Sequence, residues 1–130
     1  MIEKRRSRIA GWGVWATETI PKNKRIIHYA GEKITHKESL AREAKYLENG
    51  HIWCFTLNRR WVIDAGVGGN VARFINHSCT PNCYVQITDG TIWIRAAKTI
   101  KKGEELCYDY NTSGHARIAC QCRPGCVHKL

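Results

Sequence analysis

The sequence predicts a mostly β domain of the α+β class, made of short strands around a single helix. Short apolar runs recur along the chain, punctuated by Gly, Pro, Asn and Asp. One stretch alone, His36–Asn49, carries apolar residues at helical spacing. At 130 residues the chain fits one domain with a core of its own.

Taken in order, Ile9–Ala16 reads as a strand interrupted by glycine. Pro21–Lys24 is a turn leading into a strand over Arg25–Tyr29. In the helix, Leu40, Ala44 and Leu47 form the apolar stripe, and Asn49–Gly50 is the stop. Ile52–Leu57 and Trp61–Ile63 flank Asn58-Arg59-Arg60 as a hairpin. Asn70–Ile75 suits one short helical turn. Tyr84–Ile87 and Thr91–Ala96 flank Thr88-Asp89-Gly90 as a second hairpin. Ile100–Gly103 turns into a strand at Glu105–Tyr108, and from Asn111 the tail reads as loop.

Composition narrows the class. Hydrophobic content of 43% and charged content of 25% are those of an ordinary globular protein. No apolar run approaches the roughly 18 residues of a membrane helix. The N-terminus is basic but lacks an apolar signal core, so an intracellular protein without membrane contact is expected. Net charge is +10, with Lys4, Arg5, Arg6, Arg8, Lys98, Lys101 and Lys102 contributing. Such a surface favours acidic partners, nucleic acid among them.

Seven cysteines are present, three of them within Cys120–Cys126. In an intracellular chain that clustering points to metal before disulfides. The tail reads C-x-C-x3-C, and Zn²⁺ takes four ligands. Cys79 is the natural fourth, with His128 as a second candidate. Cys54, Cys83 and Cys107 lie in apolar surroundings and read as small buried hydrophobes.

Three further constellations carry chemistry. Gly11-Trp12-Gly13 lets backbone come close to a ligand, or forms a plain turn or bulge. Arg73–Cys83, RFINHSCTPNC, sets the carboxamide of Asn76, the imidazole of His77 and the thiol of Cys79 almost side by side. Tyr108 and Tyr110 flank Asp109 and point the same way on an extended segment.

With these motifs in hand, the chain resembles the SET-domain protein lysine methyltransferases that carry a post-SET zinc-binding segment. The likeness covers about residues 7 to 126 and rests on order. GWG with VWA comes first, then HYAGE at 28–32, VIDA at 62–65, GN at 69–70 before RFINHSC, ELCYDY at 105–110 and the tail cysteines. The resemblance implies small curved β-sheets, a pseudoknot-like crossing of RFINHSC with YDY, and a short inserted helix. Residues 1–111 would be the SET domain and 112–130 the post-SET segment.

The resemblance also implies a reaction, methyl transfer from S-adenosylmethionine to a protein lysine, with histone-like tails as one substrate option. A lysine amine, with a free pKa of about 10.4, must first lose its proton. Burial in an apolar channel favours the neutral amine, and the rest is positioning. By likeness, Tyr110 would sit beside the methyl group and Tyr29 would line the lysine channel. Tyr108 would hold the switch position that favours mono-methylation. Ala10 and Trp12 would offer backbone to the cofactor's methionine part. Asn76 and His77 would bind its ends, Trp53 would contact it, and Gln121 would reach the adenine through backbone. Asp64 would orient the substrate segment or the channel. Cys79, Cys120, Cys122 and Cys126 would hold a structural zinc.

Three departures stand out. The last tail gap is three residues where the family usually has four, Leu130 is left to pack the adenine, and Trp12 replaces a commonly basic residue. Two other readings compete: a catalytically weak SET fold that binds protein or nucleic acid, and a zinc-stabilised interaction domain. A monomer is expected.

Overall fold

The computed structural model describes residues 1–112 and 118–130. Strands β1 (Ile2–Arg6), β2 (Trp12–Ala16), β3 (Arg25–His28) and β4 (Glu32–Thr35) precede helix α1 (His36–Glu48). After it come β5 (Cys54–Thr56), β6 (Trp61–Asp64), a 3-10 turn (Val71–Phe74), β7 (Asn76–His77), β8 (Cys83–Thr88), β9 (Thr91–Ala96) and β10 (Glu105–Tyr108). They form three small sheets, ordered β1-β2-β10-β7, β3-β9-β8 and β4-β6-β5. The α+β expectation holds, and both hairpins fall where the sequence places them. Three strands, β1, β4 and the two-residue β7, are not legible in the sequence. β1 is a basic run whose burial is slight, and β4 has one buried residue, Ile34. None of the three shows an apolar alternation.

Residues far apart in sequence meet in the first sheet. β10 pairs antiparallel with β2, Leu106 opposite Val14, and parallel with β7, Cys107 opposite Asn76 and Tyr108 opposite His77. The amide of Ser78 extends this pairing by donating to the Tyr108 carbonyl. The expected crossing of RFINHSC with YDY thus takes the form of a parallel strand pair. Beneath it lies a core of β-branched and aliphatic residues, in which Val14, Ile75, Ile92, Ile94, Ile100 and Leu106 are fully enclosed.

Helix α1 begins with a full capping box. Thr35 accepts from the Glu38 amide, and Glu38 reaches back to the Thr35 amide. Such a cap is worth about 1 kcal/mol. The helix faces the protein differently from the expected stripe. Leu40 is 67% exposed and Ala44 is exposed, while Ser39 is buried. The inward face is polar instead. Arg42 and Tyr46 both bond the carboxylate of Asp64 on β6. Hydrogen bonding, not apolar periodicity, sets the helix's rotation.

Among the described residues, no helix is long and apolar enough to cross a membrane.

Candidate functional site

Two cavities both border Tyr110. The first, about 360 Å³, is lined by Ala10, Gly11, Trp12, Trp53, Asn76, His77, Gln121 and Leu130, with Arg73, Phe74 and Tyr110 among the others. All six expected cofactor residues therefore border one space. The GWG turn forms its rim. Gly11 has φ +35°, which favours glycine, and a Cβ at Gly13 would collide with the Glu105 carboxylate.

Asn76 holds that rim in place. Its Nδ2 lies 2.9 Å from the Trp12 carbonyl and 2.9 Å from Glu105 Oε2, with Ser7 Oγ and the Ala10 carbonyl further out. The amide hydrogens of Asn76 are thus engaged with protein, and its carbonyl oxygen is the group left to face a ligand. Trp12 is 40% exposed, with Lys4 and Arg6 cations 4.4 Å and 4.2 Å from its ring. Its carbonyl faces Asn76, which suits a backbone role.

Trp53 is clamped: His51 stacks on it at 4.2 Å, Tyr46 meets it edge-on at 5.2 Å, and the Arg73 guanidinium lies 4.8 Å from its ring. Leu130 is buried and lines this cavity.

The second cavity, about 450 Å³, is walled by Tyr29, Phe55, Tyr108 and Tyr110, with Cys54, Thr56, Asp109 and Thr112. The Tyr108 and Tyr110 rings are 4.8 Å apart, and Tyr29 packs on Phe55 at 5.1 Å. Tyr29 donates its hydroxyl to the Trp53 carbonyl at 2.8 Å, and Tyr110 donates to the Ile75 carbonyl. Burial pushes all three phenols above the ordinary tyrosine range, so each stays protonated at neutral pH. With their hydrogens spent on carbonyls, Tyr29 and Tyr110 offer oxygen lone pairs to the cavity.

Below the first cavity, Cys79, Cys120, Cys122 and Cys126 bring their sulfurs within 4.8 Å of one another. Cys79 lies 3.9 Å from Cys120 and 3.8 Å from Cys126. A zinc tetrahedron with bonds of about 2.3 Å has sulfur–sulfur edges of about 3.8 Å, so the cluster fits the ion. The three-residue gap, closed by Gly125 at φ +79°, still brings Cys126 in. Burial acts to raise the Cys122 thiol, but hydrogen bonds from the Cys79 backbone and the other three thiols outweigh it and bring it down to about 6. That supplies thiolate, the form that binds metal. His128 lies close by, its ring 5.3 Å from that of His77, and together with His77 and Cys79 makes a second ligand-capable group.

Two expectations are corrected. Asp64 is fully buried and its carboxylate is taken by Arg42 at 2.9 Å, Tyr46 at 2.8 Å and the Gly66 amide at 2.8 Å, so it braces the helix and faces no channel. Cys54 is half-buried and borders the second cavity, with burial pushing its thiol up to about 12; it is a wall residue, unlike the buried Cys83 and Cys107. Sequence reading missed Phe55, Thr56, Arg73 and Thr112. Phe55 had a signal, an aromatic on a short strand beside Trp53, but nothing in its spacing tells wall from core.

The SET domain family profile matches residues 11–111. A histone-lysine N-methyltransferase, H3 lysine-4 specific, of Aspergillus oryzae is 43% identical over 127 residues, covering 90% of this chain and 10% of that protein. A histone-lysine N-methyltransferase of Caenorhabditis elegans is 43% identical over 116 residues, covering 85% and 8%. The chain therefore spans about a tenth of the length of these relatives. Among solved structures, a humanized mutant of the Chaetomium thermophilum Polycomb Repressive Complex 2 bound to the inhibitor GSK126 superposes with TM-score 0.76 at 33% identity, over 85% of this chain and 15% of that one. A profile spanning most of the chain, relatives above 40% identity and a shared fold agree: this chain belongs to the SET-domain family.

Proposed function

We propose that this chain is the methyl-transferring domain of an S-adenosylmethionine-dependent protein-lysine N-methyltransferase. The observation that carries the reading is that Tyr110 borders both cavities. A donor in the first and an amine in the second would meet at its hydroxyl. When bound, S-adenosylmethionine supplies the methyl group as an electrophile. Ala10, Trp12, Trp53, Asn76, His77 and Gln121 would hold it, with Ala10, Trp12 and Gln121 acting through backbone.

The rest is work for the chain's own groups. Aromatic walls from Tyr29, Phe55, Tyr108 and Tyr110 exclude water and lower the pKa of an entering lysine amine. The protonated phenols cannot serve as bases, so the proton leaves to solvent. The oxygens of Tyr29 and Tyr110 can accept N–H bonds from the neutral amine and so aim its lone pair. Tyr108 crowds the same wall, which supports a preference for mono-methylation.

A net charge of +10 is a poor match for a basic substrate, yet among the described residues the second cavity has no Lys or Arg in its lining and carries Asp109. That local balance supports a lysine-bearing, basic protein segment. The relatives' names make a histone the first substrate class to try, and a nuclear or other intracellular location goes with it. The buried hydroxyl of Thr112 lacks a partner among the described residues and borders this cavity, where a substrate group could meet it. Residues 1–111 would form the SET unit and 112–130 a zinc-pinned post-SET segment, in a monomer with nucleic acid contact through its basic surface.

The test is methyl transfer to histone and non-histone peptides, read by mass spectrometry, with Tyr110→Phe as control. Tight cofactor binding with no transfer to any peptide would favour the catalytically weak binding module.

A further inference from the structure

The sheet β3-β9-β8 turns one face to the core and leaves the other open. Along β9, Ile92, Ile94 and Ala96 are buried, so Thr91, Trp93 and Arg95 face outward. Pairing places Gln86 opposite Trp93 and Tyr84 opposite Arg95 on the β8 side. On the β3 side, Arg25 lies opposite Arg95 and His28 opposite Trp93. Arg25 and His28 are three residues apart and would normally face opposite ways. The register shift between Arg25 and Ile27 brings both to the open face.

This face is aromatic and cationic. The Arg25 guanidinium lies 4.4 Å from the Trp93 ring centroid, and His28 meets that ring edge-on at 5.8 Å. Arg95 is held flat by Gln86 at 2.7 Å and by the Asn23 carbonyl at 2.6 Å, and Tyr84 reaches Asn23 at 3.4 Å. Among the described residues, neither Arg25 nor Arg95 has a carboxylate partner. No Asp or Glu lies on the three strands; Asp89 sits at the hairpin tip. Lys22 and Lys24, both exposed, flank Asn23. None of these side chains lines either cavity.

We propose that the open face of β3-β9-β8, centred on Trp93, Arg25, Arg95 and Tyr84, binds single-stranded nucleic acid. Flat π surfaces suit unpaired bases, guanidinium planes stack on bases and pair with phosphate, and the Gln86 carboxamide can meet a base edge. An acidic peptide would use the cations but gain little from the aromatic faces. The proposal does not depend on methyl transfer, since the platform and the cavities share no residue named here.

The test is fluorescence anisotropy of the whole chain with a labelled twelve-residue oligouridylate, across a salt series, with a polyglutamate peptide of equal charge as competitor. Binding should weaken with salt, and Trp93→Ala should weaken it about tenfold, as loss of one stacking contact does. Arg25→Gln should weaken it and flatten the salt slope by about 0.7. Thermal melts establish that each variant is folded, and Trp93→Phe, which keeps a ring, should retain most of the affinity. No binding, binding unchanged in both Trp93→Ala and Arg25→Gln, or equal displacement by polyglutamate would overturn the proposal.

Discussion

His77 joins the tyrosine wall to the cysteine cluster through its two ring nitrogens. Nδ1 accepts the backbone N–H of Tyr110 at 3.0 Å, and Nε2 lies 3.5 Å from Cys79 Sγ. Burial lowers its pKa, so the ring is neutral, and an accepting Nδ1 puts the hydrogen on Nε2, aimed at sulfur. His77 then donates to Cys79 Sγ and would not itself ligate a metal held by the four cysteines. His77→Ala should weaken zinc retention about tenfold or more, in line with loss of an outer-shell partner. Competition with a chromophoric chelator measures it, and Cys126→Ser should have the larger effect.

Tyr110→Phe removes one hydroxyl and leaves the ring between the cavities. Transfer should fall by more than about tenfold, while cofactor affinity by calorimetry stays within about twofold. Tyr108→Phe should act differently, raising the share of di- and tri-methylated product in the mass spectrum. Unchanged product ratios would remove Tyr108 from control of methylation degree.

Chelation should act on the first cavity. Cys120, Gln121 and Leu130 all border it, and they hang from the cysteine cluster. Stripping zinc should therefore cost affinity for the cofactor, and re-adding zinc should restore it. Elemental analysis should give one zinc per chain.

Arg42→Ala should be costly for a half-buried residue. It would leave the enclosed Asp64 carboxylate with Tyr46 and the Gly66 amide alone. Loss of a buried charge's partner costs about 3 kcal/mol. Denaturant unfolding should show a shift of that order, and Asp64→Asn combined with Arg42→Ala should recover part of it.

Stability should fall in alkali. Burial pushes Cys83 up to about 12, and Tyr29, Tyr108 and Tyr110 above their ordinary range. A pKa raised by folding gives stability that is full below the unfolded value and lost as pH rises through the folded one. The loss should begin near pH ~9 with the thiols and steepen above ~10 with the phenols. A melting temperature series from pH 7 to 11 checks it. In the same range, the rate profile should show no limb from a tyrosine acting as base.

Much of the site could be read from residue types alone. Cys120, Cys122 and Cys126 announce a metal by their density, and Asn76 and His77 stand out beside Cys79. The strands around Ile92–Ile94 and the two hairpins follow from apolar runs and turn residues. The helix was legible in extent and not in orientation, because Arg42 and Tyr46 turn inward to a charge that lies sixteen residues beyond the helix end. Asp64 was misjudged for the same reason: its partners are distant in sequence. Phe55 and Thr112 join the second cavity only through sheet pairing and the chain's return past β10, which no local pattern encodes.

The position of β10 between β2 and β7 has a consequence for how the protein comes into being. A ribosome moving from the N-terminus exposes GWG and NHS long before it makes Glu105–Tyr110. Until those last residues emerge, β2 and β7 have no strand between them, and Tyr110 is absent from both cavities. A stop anywhere between β9 and β10 therefore removes Tyr110, and with it the wall that both cavities share.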